Sequence, residues 1–212
     1  MPTSLYVGID LGTTFTGVAY ACPPSKTIHA IRQWPGSDND EPKVPTRLFY
    51  DKNELVGWGF ADPCNTVTFR EIDWQTFSVA ERFKLEIDPS LEFHTASTSK
   101  KPNTLLETSR WYRDFMSCLY EHIKDVLQRI YPEQWSQEVE FTFTVPNLYG
   151  PHIIAKFRDY ISDAGFGGGL HHVSLVSLTE SQAAIVYASH SLPIFKMRTA
   201  CPALANPGRS FR

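Results

Sequence analysis

The spacing of apolar residues changes period part-way along the chain. Before about residue 104, short apolar runs are separated by turn-forming clusters. YVGID, FTGVAYA and IHAIRQW read as three short strands between Tyr6 and Trp34. PGSDNDEPKVP, rich in Pro, Gly, Asp and Asn, reads as a loop. TRLFYD and ELVGWGF flank Lys52-Asn53, a turn signal between two strands. SVAERFKLEI reads as a short helix and HTASTSKKPN as a polar loop.

From Thr104 to Tyr131 the period is helical. Thr104 and Glu107 form a T-x-x-E capping box. Trp111, Phe115, Leu119, Ile123, Leu127 and Ile130 fall on one stripe, which reads as a core face. Pro132 stops the helix. VEFTFTV is a strand ended by Pro146. A second helix is predicted from Pro151, a favoured first helical position, to near Gly165. HVSLVSL reads as a buried strand and ESQAAIVYASH as a third helix. This alternation predicts an α/β fold, a mixed sheet with helices packed on it. The last twenty residues hold three prolines, four basic residues and no acid. Residues 1–192 are therefore expected to form the folded unit and 193–212 a disordered or loosely packed tail.

Composition narrows the class. The chain has 212 residues, 42% of them hydrophobic, enough for one or two lobes with a core. Formal net charge is −3, which leaves no electrostatic footprint for nucleic acid or an anionic membrane. The first residues carry no basic-then-apolar leader pattern, and no run is long enough to span a bilayer. Cys22, Cys64, Cys118 and Cys201 are scattered with no CxxC, which argues against zinc and fits a reducing cytoplasmic setting.

The stretch LYVGIDLGTTFT concentrates the candidate chemistry. An apolar strand carries a carboxylate, Asp10, to its tip and runs into Gly12-Thr13-Thr14 before a second strand begins. Glycine there lets backbone pass close to a ligand and tolerates φ > 0. Successive backbone N–H groups of such a turn can form an anion-binding concavity. A carboxylate beside it suits hydrated Mg2+, which keeps most of its waters and takes one or two carboxylates. An anion plus that metal is the chemistry of a nucleoside triphosphate. The competing reading is a hairpin in which Asp and Gly only satisfy turn geometry. No GxxxxGK[ST] occurs, and no GxGxxG opens a helix, so neither a P-loop nor a dinucleotide fingerprint is present.

Four blocks in order carry a family resemblance. YVGIDLGTTFTGVAY resembles the first phosphate-binding segment of the seventy-kilodalton heat-shock chaperones, within the actin/hexokinase superfamily. LFYDKNELVGWGF, FTFTVPNLYGPHIIAKFRDYISDAGF and VSLVSLTESQAAIVYA are similar to that family's next hairpin, its strand with Val-Pro and following helix, and its glutamate-led helix. The blocks cover Leu5 to Ala188, and the divergence is closer to atypical heat-shock-like ATPases common in fungi. The resemblance implies a ribonuclease-H-like, actin-type ATPase lobe that takes ATP and Mg2+.

By that resemblance, Gly12, Thr13 and Thr14 grip the β- and γ-phosphates, and Asp10 organises the metal through water. Lys84, in ERFKLEI, reaches the γ-phosphate. Its alternative is a solvated helix lysine between Glu81 and Glu86. Glu180 orients water and metal, the usual need in phosphoryl transfer. Its alternative, compatible with the first, is the S-x-x-E capping box Ser177–Glu180. Glu180 is followed by Ser181 where the family usually has Pro. GFGGGL at 165–170 precedes the glutamate helix, Asp163 is not at a strand tip, and the stretch reads as a helix C-cap and loop. His171 and His172 have no third ligand in view.

After Ala188 the family would supply a DxGGGT-like second phosphate strand and a second lobe. Neither occurs, so the chain is expected to be the first half of such a domain, truncated, with an exposed lobe interface. Three functions remain open: ATP binding with hydrolysis belonging to the complete chaperone-like protein, a non-catalytic fragment pairing with a protein partner through that interface, and an actin-like or sugar-kinase half. No nucleic-acid or membrane partner is expected.

Overall fold

The computed structural model of the chain describes residues 4–65, 72–87, 105–169 and 172–191. The expected polar loop at 94–103, the capping residue Thr104, His171 and the tail 193–212 lie outside them.

Strands β1 (Leu5–Leu11) and β2 (Phe15–Ala21) form an antiparallel hairpin. Two short strands, β3 (His29–Ala30) and β4 (Val44–Pro45), pair antiparallel with opposite halves of β2. A second hairpin, β5 (Arg47–Asp51) and β6 (Glu54–Trp58), turns on Lys52 and Asn53 at φ 49° and 64°. Two left-handed residues are what a tight right-twisted hairpin requires. Strand β7 (Ser78–Glu81) adds to β5 and completes a small sheet. Helix α1 (Leu105–Ile130) and the short α2 (Pro132–Gln137) precede β8 (Val139–Val145). Helix α3 (Pro151–Asp163), β9 (His172–Thr179) and α4 (Glu180–Ser191) follow.

The main sheet runs β3-β2-β1-β8-β9, with β1, β8 and β9 parallel. This is the mixed α/β lobe with flanking helices that the sequence predicts. On β1, Leu5, Val7, Ile9 and Leu11 are buried while Tyr6 and Gly8 are exposed. On β8, Val139, Phe141, Phe143 and Val145 point the same way into the core. Helices α1 and α3 cover that face with Tyr112, Phe115, Met116, Leu119, Ile123 and Leu127 and with Ile153, Phe157 and Ile161. The α1 stripe holds as predicted except at its ends, where Trp111 is half-buried and Ile130 is half-exposed.

Three local expectations are corrected. IHAIRQW is strand only at His29–Ala30, because Trp34 turns in to pack on His122 and Trp58 instead of continuing a ladder. SVAERFKLEI is not a helix: it is β7, then a left-handed Arg82 at φ 57°, then a 3-10 turn over Phe83–Glu86. Its alternation suits the edge of β5, and Phe83 at the turn is driven into the core against Tyr112 and Phe115. Pro132 ends α1 and also starts α2, occupying the first helical position whose N–H needs no partner.

The glycine-rich stretch is a helix terminator, as expected. Gly165 adopts φ 102°, its N–H donates to Ser162 O at 3.0 Å, and Phe166 N–H donates to Ile161 O at 3.2 Å. This is a Schellman cap, with Phe166 buried behind it. Asp163 pairs with Arg113 at 2.8 Å on the surface.

Candidate functional site

Parallel strands β1, β8 and β9 end side by side, and the residues at those ends converge. In open α/β sheets ligands bind beyond the carboxyl ends of the strands. Here those ends are Asp10 and Leu11, Thr144 and Val145, and Thr179 followed by Glu180. Asp10 Oδ1 faces the Thr144 hydroxyl at 3.4 Å, and Asp10 Oδ2 accepts from Lys43 Nζ at 2.7 Å.

Gly12 opens the turn after β1. A Cβ built there would stand 2.2 Å from Phe15 O, so any side chain would force the turn apart. Its φ is not positive, so close approach of the backbone, and not a left-handed conformation, is what excludes a side chain here. Thr13 is half-buried and Thr14 exposed. The far limb of the turn is clamped: Thr46 N–H donates to Thr14 O at 2.8 Å, and the buried Thr16 and Thr46 hydroxyls share a hydrogen bond at 2.8 Å.

Lys84 is not a solvated helix lysine. Its side chain is 7% exposed, and its ammonium donates to Leu11 O and to Glu180 Oε1, the latter at 2.6 Å. A buried lysine needs such partners to keep its charge. The backbone at Lys84 is fixed as well, since the hydroxyls of Tyr112 and Tyr149 both donate to Lys84 O at 3.2 Å. Burial raises the Tyr149 hydroxyl to about 12, and the Glu180 carboxylate adds to the shift. Burial raises the Tyr112 hydroxyl as well. Both phenols therefore remain neutral donors.

Among the described residues, the cap of α4 is made by the neighbours of Glu180. The reciprocal bonds are made one residue earlier and two later: Thr179 N–H donates to Gln182 Oε1 at 2.9 Å, and Gln182 N–H donates to Thr179 Oγ1 at 3.2 Å. T-E-S-Q is as good a capping box as S-L-T-E, and it leaves the Glu180 carboxylate for Lys84. The Ser177 side chain lies outside the described residues. Ser181, where the resembled family has proline, donates to Asn147 Oδ1 at 2.9 Å and ties α4 to the loop after β8.

Asp10, Gly12, Lys84 and Glu180 thus meet at one end of the sheet, with Thr13 and Thr14 on its open side. Sequence reasoning missed Lys43, Thr144, Tyr112 and Tyr149. Thr144 had a signal in its place just before Val145-Pro146, level with Asp10 across the sheet. Lys43 sat in a stretch read only as loop. Among the described residues no cluster of three or more His, Cys, Asp or Glu can hold a metal directly. The Asp10 side chain is 45% exposed, and among the described residues its Oδ1 has only the long Thr144 contact. His172 is half-buried, and its Nε2 bonds Trp135 O at 2.9 Å. Cys22, Cys64 and Cys118 are free thiols. No described helix is long and apolar enough to cross a membrane.

No protein-family model and no curated protein matches the chain. Among solved structures it is similar to MreB5 of Spiroplasma citri bound to ADP, with 9% identity and a TM-score of 0.44 over 84% of this chain and 39% of that one. It is also similar to MreB 5 of Spiroplasma citri bound to AMPPNP, with 10% identity and a TM-score of 0.39 over 82% and 38%. The chain spans about two fifths of the length of those structures.

Proposed function

We propose that this chain binds the phosphates of a magnesium nucleoside triphosphate, ATP by its resemblance to heat-shock-like ATPases, at the carboxyl ends of β1, β8 and β9. The observation that carries this reading is Lys84. It reaches Leu11 from 73 positions away and Glu180 from 96 positions away, and closes the underside of the Gly12–Thr14 turn. A solvated or merely capping role explains neither contact. An ammonium has three donors. Among the described residues two are taken, which leaves one for a phosphate oxygen lying on the turn amides. Asp10 would hold hydrated Mg2+ beside that oxygen, and Glu180, 44% exposed, would orient a water. The metal supplies charge neutralisation of the phosphates. Hydrolysis needs enclosure of the nucleotide by converging groups, and the described residues offer one wall of such a site.

Calorimetric titration of Mg-ATP into the purified chain tests the reading, with Asp10→Ala as control. Binding that is lost in the variant is the expected result. Equal binding in both, or none in the folded wild type, would overturn it.

A second reading, pairing with a protein partner through the exposed lobe interface, is favoured by apolar surface on β9 and α4. Val173, Leu175 and Leu178 are 36–45% exposed, and Ile185, Val186 and Tyr187 are 53–71% exposed. Light scattering on the purified chain separates self-association from a monomer; a chain that stays monomeric with no detectable partner counts against it.

A further inference from the structure

Lys43 is the cation at this site that the sequence did not single out. It lies in the loop before β4, and its anchor is firm: Val44 and Pro45 are buried and pair with Thr16 and Phe15, the residues just past the phosphate turn. Its stem crosses Gly17, where a Cβ would meet three Lys43 carbons at 3.2–3.5 Å. Gly17 stands directly opposite Asp10 in the β1–β2 register, so the two share a face. The missing side chain at Gly17 is the channel through which Lys43 reaches Asp10 Oδ2 at 2.7 Å.

The two lysines differ in what holds them. Lys84 is enclosed and has a carbonyl and a carboxylate. Lys43 is 47% exposed and among the described residues has one partner, itself 45% exposed. Such an exposed pair contributes little, so breaking it costs little. Asp10 carries one negative charge. If hydrated Mg2+ sits on that carboxylate, Lys43 faces a like-signed ion at short range and loses its share of the charge. A triphosphate on the turn offers a stronger acceptor within the same sweep of the side chain.

We propose that Lys43 is a switching cation, paired with Asp10 in the empty chain and moving onto the terminal phosphate when a magnesium nucleoside triphosphate binds, which frees Asp10 for the hydrated metal. This rests on the nucleotide reading above. Lys43 is then the residue that distinguishes triphosphate from diphosphate, while Lys84 supports the turn under either ligand.

The test has two arms. Mg-ATP and Mg-ADP are titrated calorimetrically into wild type, Lys43→Met and Lys43→Arg. Lys43→Met should weaken ATP about tenfold, the scale of one charge-assisted hydrogen bond, and ADP by less than about twofold. Lys43→Arg should retain most of the ATP affinity. In the second arm, Mn2+ alone is added without nucleotide, and broadening of the Gly12–Thr14 amide resonances is followed by NMR. Freed of its lysine, Asp10 in Lys43→Met should take Mn2+ at lower concentration than wild type. Opposite movements of metal and ATP affinity are something a structural lysine would not produce. Equal losses for ATP and ADP, or Mn2+ broadening no stronger than wild type, overturn the Lys43 assignment while wild-type nucleotide binding stands. A folded wild type that binds neither nucleotide overturns the parent reading, and the switch falls with it.

Discussion

The two faces of the main sheet are built on different rules, and each sends one lysine to the same strand end. On the covered face, Leu5, Val7, Ile9 and Leu11 of β1 are at most 1% exposed and meet α1 and α3. On the open face the same strand shows Tyr6, Gly8 and Asp10, beside Thr142 and Thr144 of β8. The covered face is selected for volume, and Lys84 comes up through it, enclosed by Tyr112, Tyr149 and Phe83. The open face is selected for access, and Lys43 lies across it over a glycine. Rigidity and mobility of charge at one site are thus divided between the two sides of a single strand.

The largest test of that division is Phe143→Ala. Phe143 is fully buried and meets Phe157 and Phe166 edge-on at 6.0 and 5.0 Å. Truncating a buried aromatic costs about 3–5 kcal/mol. Urea unfolding should show a loss in that range, and a loss below about 1 kcal/mol would mean that the covered face is not close-packed.

Next is Lys84→Met, which keeps the stem and removes the ammonium. The Leu11 carbonyl loses its side-chain donor, and a buried group left without its partner costs about 1–3 kcal/mol. The ion pair with Glu180 adds little to that figure, because Glu180 is 44% exposed and keeps its water. Lys43→Met by contrast should change unfolding free energy by no more than about 0.5 kcal/mol, as surface substitutions do. Equal losses in the two variants would erase the distinction between the two lysines.

How much of this was legible follows the same division. The covered face announced itself through period: the α1 stripe from Phe115 to Leu127, and VEFTFTV with every second residue apolar, both appear where expected. Asp10 stood out as a carboxylate at a strand tip before Gly12-Thr13-Thr14, Glu180 only through the family resemblance of its helix, and the two lie at the ends of β1 and β9. What the sequence hid depends on contacts between distant segments. FKLE carries no sign that its lysine enters the core, because a 3-10 turn of four residues has no period to read. Lys43 was hidden because its direction is set by the missing Cβ of Gly17, a residue of another strand. The T-E-S-Q box was visible but was outcompeted by S-L-T-E, two residues earlier.

A pH effect of intermediate size belongs to the flank of the covered face. His122 on α1 packs between Trp34 and Trp58, with ring centroids 5.1 and 6.0 Å away, and its Nε2 lies 2.9 Å from Gln33 O. Burial lowers its pKa below 6.5, against the raising effect of the Gln33 hydrogen bond. The folded state therefore prefers the neutral ring. Its contribution is fully present above the unfolded value of about 6.5 and is lost as pH falls through that value toward the lower folded one. One proton limits the slope to about 1.4 kcal/mol per pH unit. Urea midpoints at pH 8 and pH 5 should differ more for wild type than for His122→Gln. Equal differences would place the titrating group elsewhere.

The smallest effect should come from the open face itself. Leu175 on β9 is 37% exposed and pairs with Thr142, across from Gly8. Leu175→Thr keeps strand propensity, removes apolar surface that is partly in water already, and should shift unfolding by no more than about 0.5 kcal/mol. Solubility should improve, since an edge strand with exposed apolar side chains invites pairing with another chain. A cost above about 1 kcal/mol in dilute monomer would mean that Leu175 is packed in solution and that the open face has a cover of its own. Lys43 would then lie at the border of an interface, with less freedom to leave Asp10 than its exposure implies.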